Sequence, residues 1–69
     1  MYELKTRKVI EECSEAIKAI CKAEEHGWFN YHPAKPELSN AQDVLHELED
    51  VIQACIHLRF QLHKIFGEK

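Results

Sequence analysis

Residues 41–66 read AQDVLHELEDVIQACIHLRFQLHKIF, and the rest of the fold follows from them. This segment contains neither glycine nor proline, and its apolar side chains recur at alternating spacings of four and three. The members of the series are Val44, Leu48, Val51, Cys55, Leu58, Leu62 and Ile65. Such a repeat predicts one long helix, from about residue 41 to 66, whose apolar seam packs against other helices.

A second helix is predicted before it, from about Glu3 to His26. Its apolar side chains are also spaced by three and four, as on one helix face, and they are Ile10, Cys13, Ile17, Ile20 and Cys21. Gly27 should end this helix because glycine tolerates a left-handed cap.

The segment between the two helices, residues 27–40, reads GWFNYHPAKPELSN. It holds glycine and proline, both of which break regular structure, and it is therefore predicted to be an irregular loop. Ser39 or Asn40 is expected to cap the second helix, since the side-chain oxygen of either can accept from a free backbone N–H.

The chain has 69 residues and forms a single domain in this interpretation. A chain this short buries only roughly 60% of its unfolded surface, and two helices cannot cover two apolar stripes by themselves. The predicted fold class is therefore all-α, a helical hairpin that assembles into a four-helix bundle by oligomerisation. A homodimer and a homotetramer are equally compatible with this pattern.

Composition narrows the classes of partner. Hydrophobic residues make up 45% of the chain and charged residues 30%, and the net charge of -3 is spread along the sequence. No basic stripe is available to follow a nucleic-acid backbone, so a nucleic-acid polymer is not expected as a partner. No signal-peptide pattern and no apolar run of roughly 20 residues is present, so we expect no membrane association and a cytoplasmic protein.

The three cysteines, Cys13, Cys21 and Cys55, form no CxxC pair. Each lies at a helix position that also directs isoleucine or leucine inward. They are therefore interpreted as small, buried, reduced thiols rather than as redox or zinc-binding groups.

Two acidic pairs are the candidate functional groups. Glu12 and Glu15 are three residues apart in EECSE, and Glu47 and Asp50 are three apart in HELED. Residues at this spacing share a helix face, with Cβ atoms roughly 5 to 6 Å apart. Two carboxylates so placed can bind one hard cation such as Mg²⁺, which prefers oxygen ligands.

The alternative is that these acids simply solvate the helix surface. The position of Glu47 argues against it, because a rotation of about 100° per residue places Glu47 among Val51, Ala54 and Leu58, inside the apolar arc. An ionised acid in that position is unfavourable unless something pairs with it.

Glu12 has a similar position on the first helix. It aligns with a strip of small side chains, Ala16, Ala19 and Ala23, which leaves room for a ligand near the backbone. Glu15 and Asp50 fall one step closer to solvent. The four acids are thus expected to face the edge of a groove.

The segment EECSEAIKAI, followed after the loop by HELEDVIQAC, resembles the EExxE and ExxD signature of the MazG-like all-α NTP pyrophosphatases, relatives of the dimeric dUTPases. The resemblance runs from about Val9 to Leu62, and the loop GWFNYHP followed by SN is similar to short MazG-like proteins of phages. Where relatives often have glycine before the aspartate, this chain has Glu49, and the chain is shorter than most of them.

This resemblance implies hydrolysis of an NTP or dNTP to the monophosphate and pyrophosphate, in control of the nucleotide pool. It places the metal ligands on Glu12, Glu15, Glu47 and Asp50, and one of the glutamates would orient the attacking water. The implied cofactor is Mg²⁺, with Mn²⁺ as a substitute.

Substrate contacts are assigned to side chains near the acids and in the loop. Lys18, Lys22 and Lys35 are candidates for phosphate binding. Asn30 and Asn40 are candidates for reading a base edge or a sugar hydroxyl, although Asn40 has the rival role of helix cap.

Three aromatic side chains, Trp28, Phe29 and Tyr31, lie close together after the first helix. An aromatic face can stack on a nucleobase, and Trp28 is the main candidate. The alternative for Trp28 is to cap the hydrophobic core.

Other functions remain open at this stage. The main alternative is a non-enzymatic helical module that dimerises, with the acids serving solubility, and a second keeps the fold but takes dUTP or a damaged nucleotide as substrate. A di-iron site is disfavoured because no well-placed ExxH accompanies the acids, and His46 and His57 are interpreted as surface residues. Arg59 lies on the apolar side of the seam, where it can pair with an acid of a neighbouring subunit.

Overall fold

The computed structural model describes residues 3–32 and 35–67, with the side chains of residues 32 and 35–37 left aside. The elements in order are α1 (Thr6–His26), β1 (Tyr31–His32), β2 (Lys35–Ser39) and α2 (Asn40–Phe66). The two helices pack against each other as a hairpin, which confirms the predicted helical class. The predicted helix bounds agree with the observed ones to within three residues.

The connection between the helices is more regular than predicted. β1 and β2 form a short antiparallel ribbon, with Tyr31 opposite Ser39 and an irregularity in the register after Tyr31. The prediction of an irregular loop throughout residues 27–40 is therefore wrong for these strands. The two-stranded ribbon brings the two ends of the connection side by side. Its paired strands satisfy backbone N–H and C=O groups that would otherwise need water.

Ser39 is the N-cap of α2. Its Oγ accepts from the backbone N–H of Gln42 at 3.2 Å, and Oε1 of Gln42 accepts from the backbone N–H of Ser39 at 2.9 Å. This reciprocal pair is a capping box. Of the two predicted caps, Ser39 is thus the one used.

Asn40 has a different structural role, next to the cap. It is buried, and its Nδ2 donates to the carbonyl of Gly27 at 2.8 Å. The backbone N–H of Asn40 also donates to the carbonyl of Asn30, and that of Ala41 to the carbonyl of Trp28. These bonds join the end of α1 to the start of α2.

Gln61 closes the opposite end of the hairpin. Its Nε2 donates to the carbonyl of Glu3 at 3.0 Å, and its Oε1 accepts from the backbone N–H of Lys5 at 2.8 Å. α1 has no side-chain cap at Lys5. Gln61 therefore supplies a hydrogen-bond partner at a helix start that lacks a cap of its own.

Small residues form the contact between the helices. The buried side chains of α1 are Ala16, Ala19 and Ala23, here called the alanine strip, and Val44 and Ala54 are buried on α2. Ile20 and Trp28 pack against the part of this core formed by Ala19, Ala23 and Val44. Because alanine is short, the two backbones can approach closely along the strip.

The predicted packing face of α1 is therefore wrong for its larger side chains. Ile10 and Ile17 are 64% and 60% exposed, and Cys21 is also exposed. The alanine strip takes the contact instead, since it allows the closer approach of the two helices. The prediction of buried thiols is likewise wrong in the single hairpin, where Cys55 is exposed and Cys13 half-buried, although all three thiols are free of disulfides.

The seam predicted on α2 divides into two faces. Four members are buried or half-buried, namely Val44, Val51, Leu58 and Ile65. Three are exposed, namely Leu48, Cys55 and Leu62. One hairpin uses only half of the series, since a second helix covers one face and not two.

Several exposed apolar side chains of the two helices lie on one side of the hairpin. At about 100° per residue, Ile17 on α1 and Ile52 on α2 are each displaced in the same rotational sense from the contact between the helices. Because the helices are antiparallel, equal displacements point to the same side. We call this surface the apolar face, and it includes Ile10, Ile17, Leu48 and Ile52, which are 40% to 64% exposed.

Within residues 3–32 and 35–67, neither helix combines the length and the apolar character that crossing a bilayer requires.

Ala23 gives a direct test of the alanine strip, because it is fully buried between the helices. Replacing it with leucine should lower the free energy of unfolding by about 1–3 kcal/mol, since the larger side chain forces the helices apart. Urea denaturation followed by circular dichroism measures this change. Ser14→Leu, at an exposed position of the same helix, is the control and should alter stability by less than about 0.5 kcal/mol; equal losses at both positions would contradict the strip as the helix contact.

Candidate metal centre

The hairpin brings three of the four predicted ligands together within one chain. Glu12 and Glu15 from α1 and Glu47 from α2 each offer one carboxylate oxygen, and these oxygens all lie within 4.8 Å of one another. Oxygens on opposite sides of one Mg²⁺ or Ca²⁺ ion are roughly 4 to 5 Å apart, given metal–oxygen distances of about 2.0–2.6 Å. The three carboxylates are therefore close enough for side-chain rotation to bring them onto one cation.

Asp50, the fourth predicted ligand, lies outside this group. It is exposed on α2, yet its negative charge is one of the causes that raise the pKa of Glu47 and of Lys8. Asp50 is thus a neighbour of the cluster rather than a member of it in this conformation. The two acids predicted to lie nearer to solvent, Glu15 and Asp50, are indeed exposed.

Glu47 is half-buried on α2, in agreement with its predicted place on the helical wheel. Its Oε1 is buried and has no hydrogen-bond partner among the described residues. Burial is the main cause that raises the pKa of Glu47, and the charges of Glu15, Asp43, Asp50 and Glu12 raise it further. An unpaired buried carboxylate oxygen is unfavourable, and a bound cation would give it a partner.

Glu12 differs from Glu47 in having a cationic partner. The Nζ of Lys8 lies 2.8 Å from Oε2 of Glu12, whose side chain is 13% exposed. The pKa of Lys8 is raised, first by this hydrogen bond and then by the charge of Glu12. Burial opposes the shift, and the charges of Glu11 and Asp50 add smaller increases. The sequence interpretation missed Lys8, although its spacing of four from Glu12 was the available signal.

A hollow of about 150 Å³ adjoins the carboxylates. It is lined by Glu15, Lys18, Ala19, Lys22, Asp43 and Glu47. Two of the three lysines predicted to contact phosphate, Lys18 and Lys22, thus border the acidic group. The side chain of the third, Lys35, lies outside the described part of the chain.

Asp43 is a further acid that the sequence interpretation missed. It lines the hollow one helical turn before Glu47 and contributes to the raised pKa of that residue. Its spacing of four from Glu47 was a usable signal, because residues four apart are neighbours on a helix face. Asp43 therefore extends the acidic surface toward the two lysines.

Trp28 takes the core-capping role that was the alternative to base stacking. It packs against the core at Ala19, Ala23 and Val44, and its Nε1 donates to Oε2 of Glu24 at 3.1 Å. Tryptophan in this position contributes a large apolar contact, and its indole N–H is satisfied.

The other candidates of the connection also lie apart from the acidic hollow. Asn30 donates its side-chain amide to the carbonyl of His26, and Asn40 donates to that of Gly27. Neither Asn30 nor Asn40 lines the hollow, and Trp28 does not line it either. Phe29 and Tyr31 keep 85% and 66% of their surface exposed, so these two rings of the connection remain open for stacking.

Among the described residues, no histidine is part of the cluster. His46 and His57 are exposed on α2, as predicted, and the three grouped ligands are all carboxylates. An oxygen-only set suits a hard cation such as Mg²⁺ or Mn²⁺ better than zinc, for which imidazole and thiolate ligands are more usual.

The acidic cluster and the apolar face lie on opposite sides of the hairpin. At about 100° per residue, Glu15 and Asp50 are displaced from the helix contact in the sense opposite to Ile17 and Ile52. A cation or a phosphate group at the acids would therefore leave the apolar face open.

Comparisons of the chain with models of protein families, with curated proteins and with solved structures gave no match.

The raised pKa of Glu47 gives a prediction for stability against pH. Between its ordinary value of 4.5 and the raised value, the folded chain binds more protons than the unfolded chain, so stability falls as pH rises through this window. Ionised Glu47 should therefore destabilise the metal-free protein at pH 7. Glu47→Gln should raise the urea midpoint at pH 7 in the presence of EDTA, and this gain should vanish below pH 4.5.

Glu25→Gln is the matched control, because Glu25 is an exposed acid of α1. It should change the urea midpoint little at either pH. A lower midpoint for Glu47→Gln at pH 7 would show that the carboxylate has a stabilising partner in the metal-free chain.

Proposed function

We propose that this protein is a Mg²⁺-dependent nucleoside triphosphate pyrophosphohydrolase, which converts an NTP or dNTP to the monophosphate and pyrophosphate. The proposal rests on the convergence of carboxylate oxygens from Glu12, Glu15 and Glu47, and on the buried Oε1 of Glu47, which has no hydrogen-bond partner among the described residues. The resemblance of EECSE and HELED to the MazG-like signature supports the same activity. Its place would be the control of the cytoplasmic nucleotide pool.

The donor set fits the cofactor in two respects. Its three members are oxygen ligands, which hard divalent cations prefer, and their oxygens lie within 4.8 Å of one another. Asp50 stands next to them and would complete the predicted set of four. Mn²⁺ has the same preference for oxygen ligands and is the expected substitute for Mg²⁺.

The charge of the substrate explains why a cation is needed. A nucleoside triphosphate carries about four negative charges, and carboxylates alone would repel it. When bound, the divalent cation would neutralise phosphate charge and lower the pKa of a water that attacks the α-phosphorus. The new O–P bond forms as the bond from the α-phosphorus to the bridging oxygen breaks, and pyrophosphate leaves.

The residues of the chain have separate parts in this scheme. Glu12, Glu15 and Glu47 hold the cation, and one glutamate orients the attacking water. Lys18 and Lys22 line the hollow beside the acids and are placed to contact phosphate oxygens, since an ammonium group binds phosphate as a point charge. Phe29 and Tyr31 are the exposed rings of the connection that a base could stack on.

We also propose that the hairpins associate through the apolar face to form a four-helix bundle, as a homodimer or a homotetramer. Among the residues whose side chains the structure describes, the buried hydrophobic ones are Ala16, Ala19, Ala23, Val44 and Ala54. A core of such small side chains is modest for an independent domain. Exposed Ile10, Ile17 and Ile52 would be covered by a second copy.

Product analysis tests the activity. The full chain with Mg²⁺ should convert a member of a panel of canonical NTPs and dNTPs, dUTP and damaged nucleotides to the monophosphate and pyrophosphate, resolved by ion-exchange chromatography. Glu12→Gln and Glu47→Gln should lower the rate by at least about 10- to 100-fold, the loss typical of groups that merely support a ligand. Glu25→Gln, which alters an exposed acid of α1, should leave the rate unchanged.

Release of orthophosphate alone would contradict attack at the α-phosphorus. Absence of hydrolysis across the panel, together with no rise in melting temperature on addition of Mg²⁺ or Mn²⁺, would instead favour a non-enzymatic helical interaction module. A protein with a real metal centre gains about 2.7 kcal/mol of stability at a metal concentration 100 times its Kd.

Self-association is tested on the apolar face. Ile52→Glu places a charge where a second copy would bury an isoleucine that is 55% exposed in the single hairpin, so it should shift the protein to the monomer mass in sedimentation velocity. Lys18→Glu is the control on the opposite side of the hairpin and should keep the oligomer mass. A monomeric wild-type chain at all concentrations would refute the bundle.

A further inference from the structure

Lys8 lies one helical turn before Glu12 and is in contact with it. Its Nζ is 2.8 Å from Oε2 of Glu12, and 61% of the Lys8 side chain is exposed, against 13% of the Glu12 side chain. The contact therefore joins an exposed surface cation to one of the least exposed carboxylates of the acidic cluster.

The ammonium group of Lys8 places a positive charge at the edge of the acidic cluster. Besides Glu12, the negative charges of Glu11 and Asp50 act on its ammonium group. Oε2 of Glu12 is thus already compensated by a positive charge, whereas Oε1 of Glu47 is buried without a hydrogen-bond partner among the described residues.

We propose that Lys8 is an internal counter-ion of the metal centre, whose ammonium group occupies Glu12 until a divalent cation displaces it and so sets the affinity of the site. This inference rests on the proposed function, because the displacing cation is that of the proposed hydrolase. Lys8 would then regulate metal binding through a contact that is separate from the four acidic ligands.

The physical reason for displacement is the repulsion between two cations at one carboxylate. Like charges a few ångströms apart repel strongly where solvent is partly excluded. The Lys8 side chain is largely exposed and can move into water, where an ion pair of this kind contributes only modestly. Binding of the divalent cation is therefore an exchange, and removal of the lysine charge removes the competitor.

A titration with Mn²⁺ tests the exchange without relying on activity. The full chain and its variants are titrated by electron paramagnetic resonance of free Mn²⁺ at 0.15 M salt, where charges further than about 8 Å away are largely screened. Lys8→Met should bind Mn²⁺ about two- to tenfold more tightly than the wild type, as expected for the loss of a partly exposed ion pair. Lys8→Gln should behave in the same way, and Lys8→Arg, which keeps the charge, should match the wild type.

Arg7→Met is the matched control, because it removes the same charge from the neighbouring position of the helix. Its Kd for Mn²⁺ should stay within about twofold of the wild type. Equal gains for Arg7→Met and Lys8→Met would overturn the inference, since they would reflect net charge alone.

The outcomes separate the two proposals. If the wild type binds Mn²⁺ and both neutral Lys8 variants bind it equally or more weakly, Lys8 is not a competitor and the hydrolase proposal stands. If the wild type binds no Mn²⁺ at millimolar concentration, both proposals fail together. Circular dichroism of each variant checks that its helical content equals that of the wild type.

Discussion

The close contact between the alanine strip of α1 and the buried side chains of α2 is the constraint on which the other features depend. Short side chains at Ala16, Ala19 and Ala23 let the two backbones approach, and Glu12 continues the same strip one turn earlier. The approach carries Glu12 and Glu15 to Glu47, so the acidic cluster forms inside one hairpin. Leucines at these positions would have separated the helices, and with them the carboxylates.

Without a ligand, placing Glu47 in the contact between the helices lowers the stability of the fold. Burial opposes its ionisation, and the charges of the nearby acids Glu15, Asp43, Asp50 and Glu12 oppose it further. A sequence selected only for stability would place an apolar residue there, since local choices in natural chains usually agree with the fold and fail to do so mainly at functional sites. The conflict at Glu47 is therefore the best physical reason to regard this side of the hairpin as a binding site. The apolar face lies on the other side of the hairpin, so the proposed ligand binding and the proposed self-association would not compete for one surface.

Much of the architecture was predictable because its signals are local. The apolar repeat of residues 41–66, the glycine at position 27 and the cap at Ser39 act within a few residues of chain, and the structure confirms the helices that they predict. The depth of Glu47 was also predictable, because helix geometry relates it directly to Val51 and Leu58. The choice of contact face on α1 was not predictable from the sequence, because the large apolar side chains of Ile10 and Ile17 gave a stronger pattern than the alanines.

The sequence by itself determined two helices, the place where the chain turns and the pairing of acids along each helix, since hydrogen bonds and side-chain spacing within one helix need no other part of the chain. Only the tertiary structure decided which faces meet. The packing of α1 on α2 brought three carboxylates together and left Asp50 beside them. It also turned Trp28 to the core and assigned Lys18 and Lys22 to the hollow. Such contacts join residues far apart along the chain, and they depend on how closely two surfaces can approach, which no local spacing specifies.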